Sequence, residues 1–171
     1  MRLPAAAEIG SWGVSLGVMS KAFGLAGLRI GWLASTDEDL LARCARVKDY
    51  TTICSAAPSE ILALIGLSAK EILLDRALEL VMASRDRVED FLAEHPQLSW
   101  VRPQAGSVGY MRLPSSVSAA ALCDDLVLAE SVLLLPSTVF GHGDGHVRIG
   151  LGRRDTGESL ARFARFLRRP H

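Results

Sequence analysis

A chain of 171 residues that is 49% hydrophobic, with 19 Lys and Arg set against 19 Asp and Glu, can bury one substantial core or two small ones. That composition excludes disorder, and a formal net charge of zero provides no general field for nucleic acid or an anionic membrane. Three cysteines, Cys44, Cys54 and Cys123, are odd in number and lie among apolar residues without metal spacing; they read as reduced core thiols in a cytoplasmic protein. No run reaches the roughly 18 apolar residues of a membrane helix, and Glu8 interrupts the apolar N-terminal stretch, so the expectation is a soluble chain with no membrane partner.

The first clear strand is "RIGWLAS", Arg29 to Ser35. The following "STDEDLLARCARV" opens with Ser35 three positions before Glu38, the spacing of a capping box, and places Leu40, Leu41, Cys44 and Val47 on one helical face. A second helix begins near Pro58, carries Ile61, Leu62, Leu64 and Ile65, and is loosened by Gly66. From Asp75 to Leu92, Leu78, Val81, Val88 and Phe91 recur at helical spacing between charges, which predicts a long amphipathic helix able to bridge two domains. Beyond His95 and Pro96 come short β runs, "LSWVRP", "SVGYMRL", "SVLLLPS" and "HVRIGLG". One helix at about 118–129 lies among them, and another at about 155–167 ends the chain. The pattern is α/β: a first domain over 1–74, a connecting helix over 75–95, and a small α+β domain over 96–171.

One stretch calls for chemistry. "MSKAFGLAGLRIGW" is apolar and glycine-spaced, yet carries Lys21 and, eight positions later, Arg29, with no carboxylate between them. Buried and unpaired, either charge costs several kcal/mol, so each needs a route to water or a partner. A lysine amine is the nucleophile that an aldehyde cofactor requires, and an arginine fork suits a phosphate. Glycines at 24, 27 and 31 permit tight turns between the two. Taken singly, Lys21 reads as a solvated surface lysine and Arg148 as an exposed strand arginine. "GHGDGH", Gly141 to His146, has two histidines and an aspartate among glycines, but no rigid element to fix metal geometry; it reads as a hairpin loop, and no metal site is assigned.

"SKAFGLAGLRIGW" resembles the cofactor-lysine motif of the class I/II pyridoxal-phosphate aminotransferases, with Ser20, Lys21, Gly24, Gly27, Arg29 and Gly31 at the motif's positions. The small or hydroxylated residue often found three positions before the lysine is here Val18. "PQAGSVGYMRL" is similar to the family's small-domain strand, and "LLLPSTVFGHGDGHVRIGLG" to the segment that ends in its substrate-carboxylate arginine. The resemblance implies pyridoxal 5'-phosphate as cofactor, held by Lys21 as Schiff-base lysine, Arg29 on the phosphate and Ser20. It also implies Arg148 on the substrate α-carboxylate, amino acid and 2-oxo acid substrates, and a homodimer. Tyr50 and Thr51 lie where the family faces a neighbouring subunit, but a plain loop explains them and they are not counted as site residues.

The family sets its phosphate-cradling glycine loop, ring-stacking aromatic, and the Asp and Tyr that hold the ring ahead of the lysine, whereas 20 residues precede Lys21 here. The resemblance therefore implies the C-terminal part of the large domain plus the small α+β domain: a truncated aminotransferase or a piece of a longer one, weakly active or inactive alone. Two alternatives stand beside it, a non-catalytic remnant or interaction module, and a related pyridoxal-phosphate lyase or cyclising synthase.

Overall fold

The computed structural model describes residues 3–169. The chain divides into two compact units between Ala77 and Leu78, inside the long helix. The first unit holds a short helix α1 (Ala6–Ile9), strands β1 (Ser15–Val18) and β2 (Gly31–Ala34), helices α2 (Glu38–Thr51) and α3 (Ala57–Ser68), and the start of α4 (Lys70–Glu94). Strands β1 and β2 pair antiparallel, with Val18 opposite Gly31 and Gly17 opposite Trp32. A Cβ on Gly17 would lie 2.2 Å from the Trp32 ring, so glycine is what lets the indole cross the neighbouring strand.

Four local expectations are corrected here. Strand β2 starts at Gly31, not Arg29, because Arg29 closes a short 3₁₀ turn (Ala26–Leu28) in the left-handed conformation, φ 56°, which no strand accommodates. The cap of α2 is Asp37, whose carboxylate accepts from Leu40 N–H at 2.8 Å; Ser35 instead donates its hydroxyl to the Gly13 carbonyl at 2.9 Å, tying the helix entry to the segment before β1. Helix α3 starts with Pro58 in its first turn as expected, but Gly66 does not loosen it. Gly66 is buried where a Cβ would meet Leu25 and Met19 at 2.9 and 3.1 Å, so its small size seats the helix on the β1–β2 connection. The apolar stripe of α2 is less deeply covered than its period implies: Leu40, Leu41 and Cys44 are half-buried and Val47 is exposed.

The second unit contains the rest of α4, then β3 (Ser99–Trp100), β4 (Val108–Arg112), α5 (Ala119–Glu130), β5 (Leu135–Pro136), β6 (His146–Gly150) and α6 (Thr156–Leu167). The four strands form an antiparallel sheet in the order β3-β4-β6-β5. Alternate residues Met111, Val147 and Ile149 enter one core with Leu122 and Leu126 of α5, Leu160 and Phe163 of α6, and Val88 and Phe91 of α4. The stretch from Leu78 to Glu94, read from sequence as a connector, thus contributes to this core. The expected strand over 131–137 shrinks to Leu135–Pro136, because Ser131 ends α5 in the left-handed region and only Leu135 and Pro136 pair with β6. Among the described residues no helix is long and apolar enough to cross a membrane.

The close of α5 is fixed electrostatically. Glu130, buried apart from 8% of its surface, accepts from Arg165 at 3.0 Å and Arg169 at 2.7 Å, and the Arg165 hydrogen bond first of all holds its carboxyl below the usual carboxylate range. A lowered native pKa contributes stability that is present above the unfolded-state value and is lost as pH falls through the native one. Glu130→Gln is therefore expected to be less stable than the wild type at neutral pH, with the gap closing as both are acidified below about pH 4. Denaturant titrations of both proteins across that range check it, and a gap independent of pH would refute the ionic account.

Candidate functional site

The segment between β1 and β2 is built turn by turn. Met19 is wholly buried; its N–H donates to the Ile30 carbonyl at 3.0 Å, and its carbonyl accepts from Leu25 N–H at 2.9 Å, which closes the loop at its base. Above that closure Gly24 N–H donates to the Lys21 carbonyl at 3.0 Å, with Gly24 at φ 68°, a conformation that suits glycine. Gly27, by contrast, has open space around it and no left-handed requirement, and Gly31 is needed for close strand approach, its Cβ position lying 2.8 Å from the Gly17 carbonyl.

On this base Ser20 is half-buried while Lys21 and Arg29 are exposed. The burial problem posed by the sequence is solved by water access, since neither charge is interior and neither has a carboxylate partner among the described residues. Arg29 donates from Nη1 to the Ala26 carbonyl at 3.1 Å, which pins the guanidinium to its own loop and leaves its other donors available. The Lys21 side-chain amine makes no hydrogen bond or ion pair among the described residues. A fixed backbone thus presents an unpaired lysine amine and a guanidinium with donors to spare on the same connection.

Arg148 stands on β6 in the second unit, directly opposite Tyr110 of β4 and Leu135 of β5. Because Val147 and Ile149 enter the core, Arg148 and His146 share the sheet's other face. There the Tyr110 ring stacks on His146 at 5.1 Å and meets His142 edge-on at 5.9 Å, while the Arg148 guanidinium lies 5.2 Å from the Phe140 ring centre. Tyr110, Phe140, His142 and Arg148 line an open cavity of about 410 Å³. Arg148 has no carboxylate partner among the described residues, so its in-plane donors are free for one.

Of the expected site residues, Ser20, Lys21 and Arg29 share one loop of the first unit, and Arg148 occupies the second. Sequence reasoning missed Tyr110, Phe140 and His142; the pairing of "SVGYMRL" with "HVRIGLG" was the signal that could have put Tyr110 beside Arg148. "GHGDGH" supplies two left-handed glycines, Gly141 and Gly143. It also supplies Asp144, whose carboxylate accepts from Ala120 N–H at 2.9 Å at the start of α5; a hydrogen bond from Ser118 chiefly holds that carboxyl below its ordinary value. Among the described residues no group of three or more His, Cys, Asp or Glu could hold a metal ion. Tyr50 is 93% exposed, and Thr51 donates its hydroxyl to the Val47 carbonyl at 3.0 Å, an ordinary helix-end contact.

The first unit thus carries a hairpin loop with an unpaired lysine and a pinned arginine, and the second an antiparallel sheet with an arginine that has no carboxylate partner among the described residues. The family model for aminotransferase class I and II matches residues 4–165, and the chain belongs to that family. It is 30% identical over 138 residues to capreomycidine synthase of Streptomyces vinaceus, a match covering 80% of this chain and 35% of that protein. Its fold is similar to that of a PLP-dependent aminotransferase from Streptococcus suis 89-1591, with a TM-score of 0.89 and 27% identity over 97% of this chain and 44% of the other. It is also similar to the PLP-dependent cyclase OrfR, with a TM-score of 0.80 and 25% identity over 96% of this chain and 48% of that one. The chain spans about a third of the length of the curated relatives it matches.

Proposed function

We propose that this chain is the C-terminal part of a pyridoxal-phosphate-dependent aminotransferase, comprising the end of the large domain and the small α+β domain, and that it moves an amino group between an amino acid and a 2-oxo acid. The observation that carries this reading is the ordered loop with a free Lys21 and a pinned Arg29, inside a family match that spans residues 4–165. The residues present fit the group. Lys21 Nζ would hold the cofactor covalently and move the proton at the substrate Cα, Arg29 would bind its phosphate from the same loop, and Ser20 would flank them. When bound, pyridoxal phosphate supplies the aldehyde and the electron-withdrawing ring that amino-group transfer needs. Arg148, with its in-plane donors free, would accept the substrate carboxylate in two parallel hydrogen bonds and so orient Cα.

The partners in this reading are amino acid and 2-oxo acid substrates and a second copy of the chain, in the cytoplasm, where free Cys44, Cys54 and Cys123 stay reduced. Exposed Trp12, Leu16, Ile61, Leu64 and Ile65 in the first unit form apolar surface of the kind that further polypeptide covers. The similarity to capreomycidine synthase favours a second reading, in which the same lysine and arginines serve a cyclising synthase.

The test is reductive labelling. After equilibration with pyridoxal phosphate and borohydride, peptide mapping is expected to find the label on Lys21, and Lys21→Ala is expected to lose it. Label scattered over Lys48 and Lys70, with none on Lys21, would refute the assignment.

A further inference from the structure

We infer that Phe140 is a positioning residue for Arg148: its ring occupies one face of the guanidinium and thereby holds the hydrogen-bonding edge of the fork toward the cavity. The inference rests on the reading of Arg148 as the carboxylate-binding arginine and adds the residue through which that arginine is aimed.

A guanidinium donates in its plane and stacks on its faces, so a ring contact and a carboxylate contact do not compete for the same atoms. Arg148 sits over such a ring. Its carbon Cζ lies 5.2 Å from the centre of the Phe140 ring, and it has no carboxylate partner among the described residues, so the ring is the contact that restrains the end of a long side chain. Such a side chain otherwise samples many rotamers and loses that freedom whenever a ligand binds.

The placement of Phe140 is itself firmly set. It ends a 3₁₀ turn (Ser137–Phe140) whose first residue, Ser137, is wholly buried; the Ser137 hydroxyl donates to the Gly143 carbonyl at 2.8 Å and accepts from His146 N–H at 3.2 Å. The turn closes on Gly141, whose left-handed φ of 65° and N–H bond to the Thr138 carbonyl, 3.1 Å, reverse the chain toward β6. Phe140 itself is 46% exposed, so its position is not explained by burial in the core. Among the described residues, the polar groups around the fork are His142, which lines the same cavity, His146, which shares the sheet face, and the Tyr110 hydroxyl, which is buried without a hydrogen-bond partner there. None of them carries a fixed negative charge that would draw Arg148 away from the ring.

The experiment uses the 171-residue chain and pyruvate as probe, followed through the Arg148 side-chain Nε–H resonance. In the wild type, that resonance is expected to carry the ring-current shift of Phe140 and to move on pyruvate addition. Phe140→Leu should remove the ring-current shift and weaken pyruvate binding about two- to fivefold, while Phe140→Tyr should retain both. Arg148→Gln should weaken binding by about tenfold or more. If Arg148→Gln is without effect, or the wild type shows no pyruvate response, the carboxylate reading itself falls and the inference with it. If Arg148→Gln weakens binding but Phe140→Leu does not, or Phe140→Tyr is as weak as Phe140→Leu, the inference is overturned and the reading of Arg148 stands.

Discussion

Joined to the N-terminal portion of a full-length family member, this chain is expected to transaminate, and Lys21→Ala is expected to lower kcat in that protein by at least about 10³-fold. The size of the effect follows from what Lys21 does in the proposed reaction: it is the covalent attachment point and the group that moves the Cα proton, and no other lysine lies on the β1–β2 loop to replace it. Arg148→Ala in the same protein should act differently. It removes a bidentate charge-assisted contact made in both the ground state and the transition state, so KM should rise by about 10- to 100-fold with a smaller change in kcat. The 171-residue polypeptide assayed alone is expected to show little or no turnover. It spans about a third of the length of its curated relatives, and each missing charged contact to the reacting centre costs about 10²-fold in rate. Steady-state assays with amino acid and 2-oxo acid pairs measure all of this. Robust turnover by the chain alone would overturn the partial-chain proposal, and a joined enzyme indifferent to Lys21→Ala would overturn the site.

Most helices were legible because their signals are local. Pro58 marked the start of α3, and the spacing of Val88 and Phe91 marked the buried face of α4, both of which depend on neighbours within a turn or two. Errors fell where a distant partner decides. Ser35 has the spacing of a cap, but its hydroxyl is taken by the Gly13 carbonyl 22 positions away, and Asp37 takes over. Gly66 looks like a helix breaker until Leu25 and Met19 are seen against it. The site divides in the same way. The loop that carries the candidates Lys21 and Arg29 is closed by contacts within the β1–β2 connection, whereas the wall around Arg148 required knowing that β4 pairs with β6 and that Phe140 lies against the guanidinium. Charge burial, the puzzle posed by Lys21, could not be resolved from composition, because whether a residue in an apolar run is interior depends on what packs above it.

Phe163→Ala is expected to be the most damaging single truncation in the second unit, at about 3 to 5 kcal/mol. Phe163 is 1% exposed and stacks on Phe91 with ring centres 5.3 Å apart, so it joins α6 to α4; Phe91 in turn stacks on His95 at 4.3 Å. Truncation removes both the transfer free energy of the ring and its contacts on every side, and a sheet covered by three helices has little freedom to collapse into the gap. A domain of this size has a total stability of roughly 5 to 10 kcal/mol, so the loss would take most of it. By contrast Val139→Ala, at a position 65% exposed, should change stability by no more than about 0.5 kcal/mol. The core loss should also reach the candidate site, because Val147 and Ile149 share that core and flank Arg148 on β6. In urea, Phe163→Ala should therefore lower the unfolding midpoint by about 2 to 3 M, and below that midpoint it should broaden the Arg148 Nε–H resonance while Val139→Ala leaves it sharp. A loss under about 1 kcal/mol would mean that the helices of this unit are held to the sheet by something other than the Phe91–Phe163 stack.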